Sequence, residues 1–273
     1  MVSSTLRRKS VEKKNLHEQK NIVLAFFDIL GTSEKIKQEQ YDKVYDFYRY
    51  MVNLCSEELI PLSFYALPGD SHDAAETVVR FPMNHAFFSD TFIVWVEHYN
   101  LFGMSSRGFF EKCMQIFTAA LKYGIPLRGA ISRGSAIMDV QNNLYLGKPI
   151  VEAARAEAAQ NWLGIALTRS FQETTVSETH LLLPYHDHIK EKYIEKNTEI
   201  LFVEAVLDWP KYWRNNENNS PIPYIQAMNT DANFSSYYDN TMKFVNYSLE
   251  NQNFWDNKIP PSPPIRPKIV RYE

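Results

Sequence analysis

The order of patterns along this sequence predicts an α+β domain, with helices set against an antiparallel-rich sheet. Apolar runs suited to strands alternate with amphipathic helical stretches: strand, helix, strand hairpin, helix, strand hairpin, helix, strand. Two strand segments read as hairpins, which makes their members antiparallel neighbours. The helical stretches each carry one apolar face, and a sheet is what such faces cover. Together these features predict a ferredoxin-like arrangement with the helices on one face.

Composition narrows the class. With 273 residues, 45% hydrophobic and 22% charged, the chain has ample material for a core, as one large domain or a domain with an extension. A net charge of -3 gives no general case for nucleic acid or an anionic membrane as partner. Positive charge gathers only before residue 21, in Arg7, Arg8, Lys9, Lys13, Lys14 and Lys20, and reads as a solvated, disordered tail over 1–19. No apolar segment follows it and no run reaches membrane-spanning length, so a cytoplasmic protein is expected. Cys55 and Cys113 fall on apolar helix faces and read as buried free thiols.

The first strand, Ile22 to Phe27, ends in Asp28, then a tight turn at Gly31 and a helix opening at Thr32 or Ser33. A carboxylate beside free backbone N–H groups can hold a cation and the phosphates attached to it. Tyr41, Val44, Tyr48, Met51 and Cys55 recur at helical spacing, so a long amphipathic helix is expected over 34–56. Residues 60–76 read as a polar loop, with short strands near Val78–Phe81 and Ala86–Glu97. Phe87 to Trp95 is a hydrophobic hairpin interrupted by Ser89, Asp90 and Thr91, a polar triad that costs stability unless satisfied or used. If the strand of Asp28 lies beside it, Asp28 and Asp90 converge, and a divalent cation between them would remove their repulsion.

Phe109, Cys113, Ile116, Phe117 and Ala120 mark a second amphipathic helix with Gly124 at its C-cap. Pro126 to Asp139 alternates as a strand with a turn at Gly134, and Arg128 and Arg133 read as plain surface charges. Gly147, Lys148 and Pro149 open an alanine-rich helix over 150–161. Its small residues allow close approach to another backbone, leaving Arg155 as a long projecting cation, either functional or paired with Glu152 or Glu157. A strand is expected at Ile165–Thr168, with a short helix to about Thr175. His180, His186 and His188 read as a polar loop rather than a metal site. Ile200–Val206 is the last strong strand, and Ile259 to Pro267 is polyproline-like, an extended arm.

The motifs carry a resemblance. Phe26-Phe27-Asp28-Ile29-Leu30-Gly31-Thr32-Ser33 resembles the Phe-x-Asp-Ile-x-Gly-Phe-Thr signature of class III nucleotide cyclases. Ser89-Asp90 resembles their Gly-Asp hairpin, and Leu127 to Gly134 their Arg-x-Gly-Ile-x-x-Gly strand. Gly147 to Arg155 resembles Gly-x-x-Val-Asn-x-Ala-Ala-Arg with the same glycine-to-arginine spacing. The blocks occur in the family's order between about Asn21 and Thr168.

The resemblance implies a palm-type catalytic domain over 20–206 with a C-terminal extension over 207–273. It implies two divalent ions, Mn2+ or Mg2+, held by Asp28, Asp90 and the carbonyl of Ile29. Leu30, Gly31 and Thr32 would cradle a triphosphate with their backbone. Arg155 would stabilise the α-phosphate from across a head-to-tail homodimer. The departures matter too. The family's asparagine falls on Val151, and positions that read a purine carry Ala86 and Leu144. In this the chain resembles the pyrimidine cyclases of the bacterial Pycsar antiphage system. That implies UTP as substrate, cyclic UMP as product and signalling to a separate effector. CTP and cyclic CMP are the alternative substrate and product. A catalytically silent nucleotide-binding module is the reading that Val151 motivates. No Gly-Gly-Asp/Glu-Glu-Phe run is present, which counts against a dinucleotide cyclase.

Overall fold

The computed structural model describes residues 19–31, 41–56, 59–62, 77–80, 83–97, 106–171, 180–185, 187, 189–190 and 205–254. Thr32, Ser33, His186, His188, the basic tail and the proline-rich arm lie outside the described residues.

The strand β1 (Lys20–Ile29) is the axis of the main sheet. It pairs antiparallel with β5 (Thr91–Glu97) on one side and β6 (Leu127–Asp139) on the other. The strand β4 (Asn84–Phe88) forms the hairpin with β5 at one edge. Beyond β6 lie β8 (Ile165–Leu167), β10 (Ala205–Leu207) and β9 (Leu182–Pro184), giving the order β4-β5-β1-β6-β8-β10-β9, while β7 (Leu144–Gly147) pairs with the far end of β6. Only the β6–β8 pairing is parallel among these. A separate two-stranded ribbon joins β2 (Leu59–Leu62) to β3 (Thr77–Arg80), so part of the expected polar loop is paired backbone.

Alternation along β1 assigns its side chains to two faces. Val23, Ala25, Phe27 and Ile29 join the large core with α1 (Tyr41–Ser56) and α2 (Arg107–Tyr123). Ile22 and Leu24 face the other way, into a smaller cluster with Ile93 and Trp95. On that second face lies α3 (Lys148–Ala158), whose Ala153 and Ala156, with Ala159, pack on Ala130 and Phe26. Helices therefore cover both faces, not one as expected. The reason is local. Alanines at helical spacing present a flat stripe that fits closely over β6, while the bulky faces of α1 and α2 need the Phe-rich side.

The C-terminal segment adds α4 (Trp209–Asn216), α5 (Ile222–Met228) and α6 (Ser235–Glu250). Trp209, Trp213, Ile225 and Phe244 are buried in the same core as α1 and α2, and the rings of Phe117 and Trp209 lie 4.8 Å apart.

Several local expectations hold. Gly31 takes φ +71 at the turn after β1, and Gly124 takes φ +68 as the C-cap of α2. Cys55 and Cys113 are free and buried, and burial pushes the Cys55 thiol up to about 12. Others change. Gly134 does not turn the chain. The β1–β6 ladder runs through it from Ile29↔Leu127 to Lys20↔Ala136. Leu182–Pro184, read as loop, is a strand paired with β10.

Candidate functional site

The β1–β5 ladder ends with Asp28 opposite Thr91, the residue after Asp90. Beyond it the Ile29 amide donates to the Asp90 carbonyl at 3.0 Å. The two carboxylates thus belong to one corner of the sheet, where the β4–β5 turn closes over the end of β1. Both act on the same neighbour. The Tyr48 hydroxyl of α1 is held well above the usual phenol range by burial, then by the charges of Asp90 and Asp28. It donates to the Ser89 carbonyl at 2.8 Å, and Ser89 has φ +61, a left-handed conformation a serine adopts at some cost. Tyr48 also packs on the Phe87 ring at 4.7 Å. One phenol so pins the turn that carries Asp90. Sequence reasoning saw Tyr48 only as part of an apolar stripe.

Asp28 faces the same side of the sheet as Phe26 and Leu24, toward α3. There Arg128, its register partner on β6, donates from Nη2 to Asp28 Oδ2 at 2.9 Å. The same Nη2 lies 2.6 Å from Glu157 Oε1, and Nη1 donates to the Gln160 carbonyl at 3.3 Å. The guanidinium is closed over by the Tyr237 ring, 5.3 Å away. Arg128 is only 8% exposed, so it is no surface charge, and the expectation for it is corrected. Alternation supplies the cause. Arg128, Ala130 and Ser132 share the α3 face of β6, which places the first of them beside Asp28 under the end of the helix. Burial drives the Glu157 carboxyl up to about 7, with Arg128 opposing and Asp28 reinforcing that rise. Thr91 Oγ1 stands 3.4 Å from Asp28 Oδ1.

The cradle expected at Leu30 to Thr32 is partly committed. The Leu30 amide donates to the Pro126 carbonyl at 2.8 Å, so it is not open to a phosphate. Gly31 follows in the left-handed conformation, where a Cβ would stand 3.2 Å from the Phe234 ring. Thr32 lies outside the described residues.

Arg155 does not join this corner within one chain. On α3 it is two residues before Glu157, about 200° around the helix, and it is exposed. Neither acid offered as its partner takes it: Glu157 pairs with Arg128, and Glu152 with Lys148 at 3.4 Å. Arg155 instead lines a cleft of about 850 Å³ with Val151, Glu152, Arg133 and Arg169. Val151 is 49% exposed there and offers no polar group. Ala86 packs against the smaller cluster, and Leu144 is 50% exposed.

The donor set at the corner suits a hard divalent cation. It offers carboxylate oxygens from Asp28 and Asp90, and both are only partly buried. One oxygen of Asp28 accepts from Arg128 and the other from the Thr91 hydroxyl at 3.4 Å, so a metal would share Oδ1 with that long hydrogen bond. Among the described residues no group of three or more His, Cys, Asp or Glu forms a protein-only metal cage, so any ion here would draw further ligands from main chain, water or a bound phosphate.

No family model matches the sequence, and no curated protein matches it. Solved structures do resemble the chain. One is a bacterial light-regulated adenylyl cyclase, with a TM-score of 0.46 and 12% identity over 79% of this chain and 58% of that one. Another is the guanylyl cyclase Cya2, with a TM-score of 0.40 and 10% identity over 62% of this chain and 84% of that one.

Proposed function

We propose that this chain is a metal-dependent nucleotide cyclase of the class III type, which acts as a homodimer and converts UTP to 3′,5′-cyclic UMP and pyrophosphate. The observation that supports it best is the placement of Asp28 and Asp90 at the same end of the β1–β5 pair, where both charges act on the Tyr48 hydroxyl. Two carboxylates at a strand end beside a left-handed glycine suit the grip of a metal-bound triphosphate. The four motif blocks in family order agree with that chemistry.

In this reading Asp28, Asp90 and the Ile29 carbonyl hold two Mn2+ or Mg2+ ions. When bound, the ions lower the pKa of the ribose 3′-hydroxyl and stabilise the leaving pyrophosphate. Arg128 holds one oxygen of Asp28 and so fixes the carboxylate's orientation. Tyr48 fixes the turn of Asp90. Arg155 of a second copy faces the α-phosphate and stabilises its developing charge, an interaction worth several kcal/mol when preorganised. Ala86 and Leu144 remove the polar partners that a purine would need, which favours a pyrimidine. The cyclic nucleotide then serves as a messenger in antiphage defence, read by a separate effector.

The test is incubation of the purified chain with each of the four NTPs and Mn2+, with cyclic products separated by chromatography. UTP should be consumed, and Asp28→Ala should abolish the reaction. Four intact NTPs with a folded, dimeric protein would sink the proposal. CTP consumed in preference to UTP would make the product cyclic CMP. A second reading, a silent nucleotide-binding module, draws on the apolar Val151 in the cleft. It predicts calorimetric NTP binding without turnover.

A further inference from the structure

The motif blocks end by Thr168, yet two rings from beyond residue 207 reach the carboxylate corner. Phe234 closes the 3-10 turn Ala232–Phe234, which Asp231 caps by accepting from the Asn233 amide at 2.9 Å. The heavy atoms nearest to where a Gly31 Cβ would stand all belong to the Phe234 ring, at 3.2–3.7 Å. Tyr237 follows in the first turn of α6, its ring 6.3 Å from that of Phe234 and 5.3 Å from the Arg128 guanidinium. Its place is fixed by backbone bonds. The Thr241 hydroxyl donates to the Tyr237 carbonyl at 2.6 Å and accepts from the Leu163 amide at 2.8 Å. Asn240 Nδ2 donates to the Asn161 carbonyl at 3.1 Å, so α6 is stapled to the segment that leaves α3. Lys190 Nζ lies 5.6 Å from the same ring while donating to the Ala158 carbonyl at 2.7 Å.

From this geometry we infer that the C-terminal extension is a working part of the carboxylate corner, in which Tyr237 is the positioning residue that holds Asp28 through Arg128. The inference rests on the metal grip proposed above. Arg128 spends Nη2 on Asp28 and Glu157 and Nη1 on the Gln160 carbonyl. Its Nε is buried and makes no hydrogen bond among the described residues. Hydrogen bonds therefore leave one edge of the guanidinium unheld, and the Tyr237 ring supplies a further attraction, strong because the cation is desolvated. A metal-ligating carboxylate is only as well aimed as the group behind it. Here that support runs from the Tyr237 ring to Arg128 and on to Asp28 Oδ2, while Phe234 backs the turn that follows Asp28. The ring does this work and not the phenol, since the Tyr237 hydroxyl makes no hydrogen bond among the described residues.

The experiment is titration of the nucleotide-free full chain with Mn2+, the free ion being read by electron paramagnetic resonance. The parent should bind saturably and Asp28→Ala should not. Tyr237→Leu should weaken Mn2+ binding about tenfold, while Tyr237→Phe, which keeps the ring, should stay within about twofold. Tyr224→Leu is the control for packing, because it removes a ring contact with Trp213 (5.3 Å) elsewhere in the extension. It should lower the unfolding midpoint and leave the Mn2+ affinity unmoved. Should Tyr237→Leu fail to fold by circular dichroism, Tyr237→Gln removes the ring with a side chain that tolerates a half-buried position. Parent-like Mn2+ affinity without the ring, equal weakening by Tyr224→Leu, or loss of affinity in Tyr237→Phe overturns the positioning role. No saturable binding by the parent, or binding that survives Asp28→Ala, removes the metal reading of the corner and this role with it. Ring-dependent Mn2+ binding without cyclic product from any NTP would leave the role standing and remove only the cyclase reading.

Discussion

Asp28 and Arg128 stand opposite one another in the β1–β6 ladder, joined by a 2.9 Å hydrogen bond from Nη2 to Oδ2. That one register position couples the candidate metal ligand to the helix α3, because the same nitrogen lies against Glu157. The corner is thus braced from two directions, by Arg128 across the sheet and by Tyr48 over the hairpin turn.

Removing the arginine should be costly. Arg128→Met leaves Glu157 buried without its cation, and loss of one partner from a buried ion pair costs about 3–5 kcal/mol. Asp28 is less buried than Glu157, so the lower end is expected. Urea unfolding measures it. Adding Glu157→Gln to Arg128→Met should recover about 1 kcal/mol or more, because no orphaned charge then stays buried. An additive double variant would show that the two residues do not act as a pair.

Glu157 makes stability depend on pH with a definite sign. Its carboxyl ordinarily ionises near 4.5, and in the folded chain at about 7. Between those values the folded protein keeps a proton that the unfolded chain has lost, so stability falls as pH rises through that window. It is full below the lower value and level above the upper one, a loss of about 3 kcal/mol. Chemical unfolding midpoints across the window should show the decline in the parent, and Glu157→Gln should flatten it.

Tyr48→Phe keeps the ring on Phe87 and removes the bond to the Ser89 carbonyl. The stability cost should be about 1 kcal/mol. The Mn2+ concentration for half-maximal turnover should rise about tenfold, the usual effect of losing a support behind a metal ligand. An unchanged metal dependence would confine Tyr48 to a packing role.

The α3–β6 contact should resist enlargement. Ala156 is 2% exposed against Ala130 and Phe26, so Ala156→Leu should cost about 1–3 kcal/mol by overpacking. Ala154→Leu, on the half-exposed side of the same helix, should stay within about 0.5 kcal/mol. Thermal or urea unfolding of the two variants separates the faces.

Much of the scaffold was legible from period and punctuation. The apolar run before Asp28, the hairpin around Ser89 and Asp90, Gly124 as a cap and the alanines around Arg155 all carry local signals that the fold obeys. Arg128 was misread because a lone arginine at the start of a strand looks like a surface charge. The signal was its alternation with Ala130 and Ser132, which put it on the inward face. Leu182–Pro184 was misread because three residues carry no period, and only pairing with β10 makes them a strand.

By itself, then, the sequence determined the alternation of strands and helices, the hairpin turn and the pairing of a strand-end aspartate with glycine. These rest on contacts between residues close along the chain. The side of the sheet that α3 covers, the capture of Asp28 by Arg128 one hundred positions away and the gathering of three arginines in one cleft were decided by tertiary structure alone. Each depends on strand register and helix docking, which bring distant residues together and leave no periodic trace in the chain.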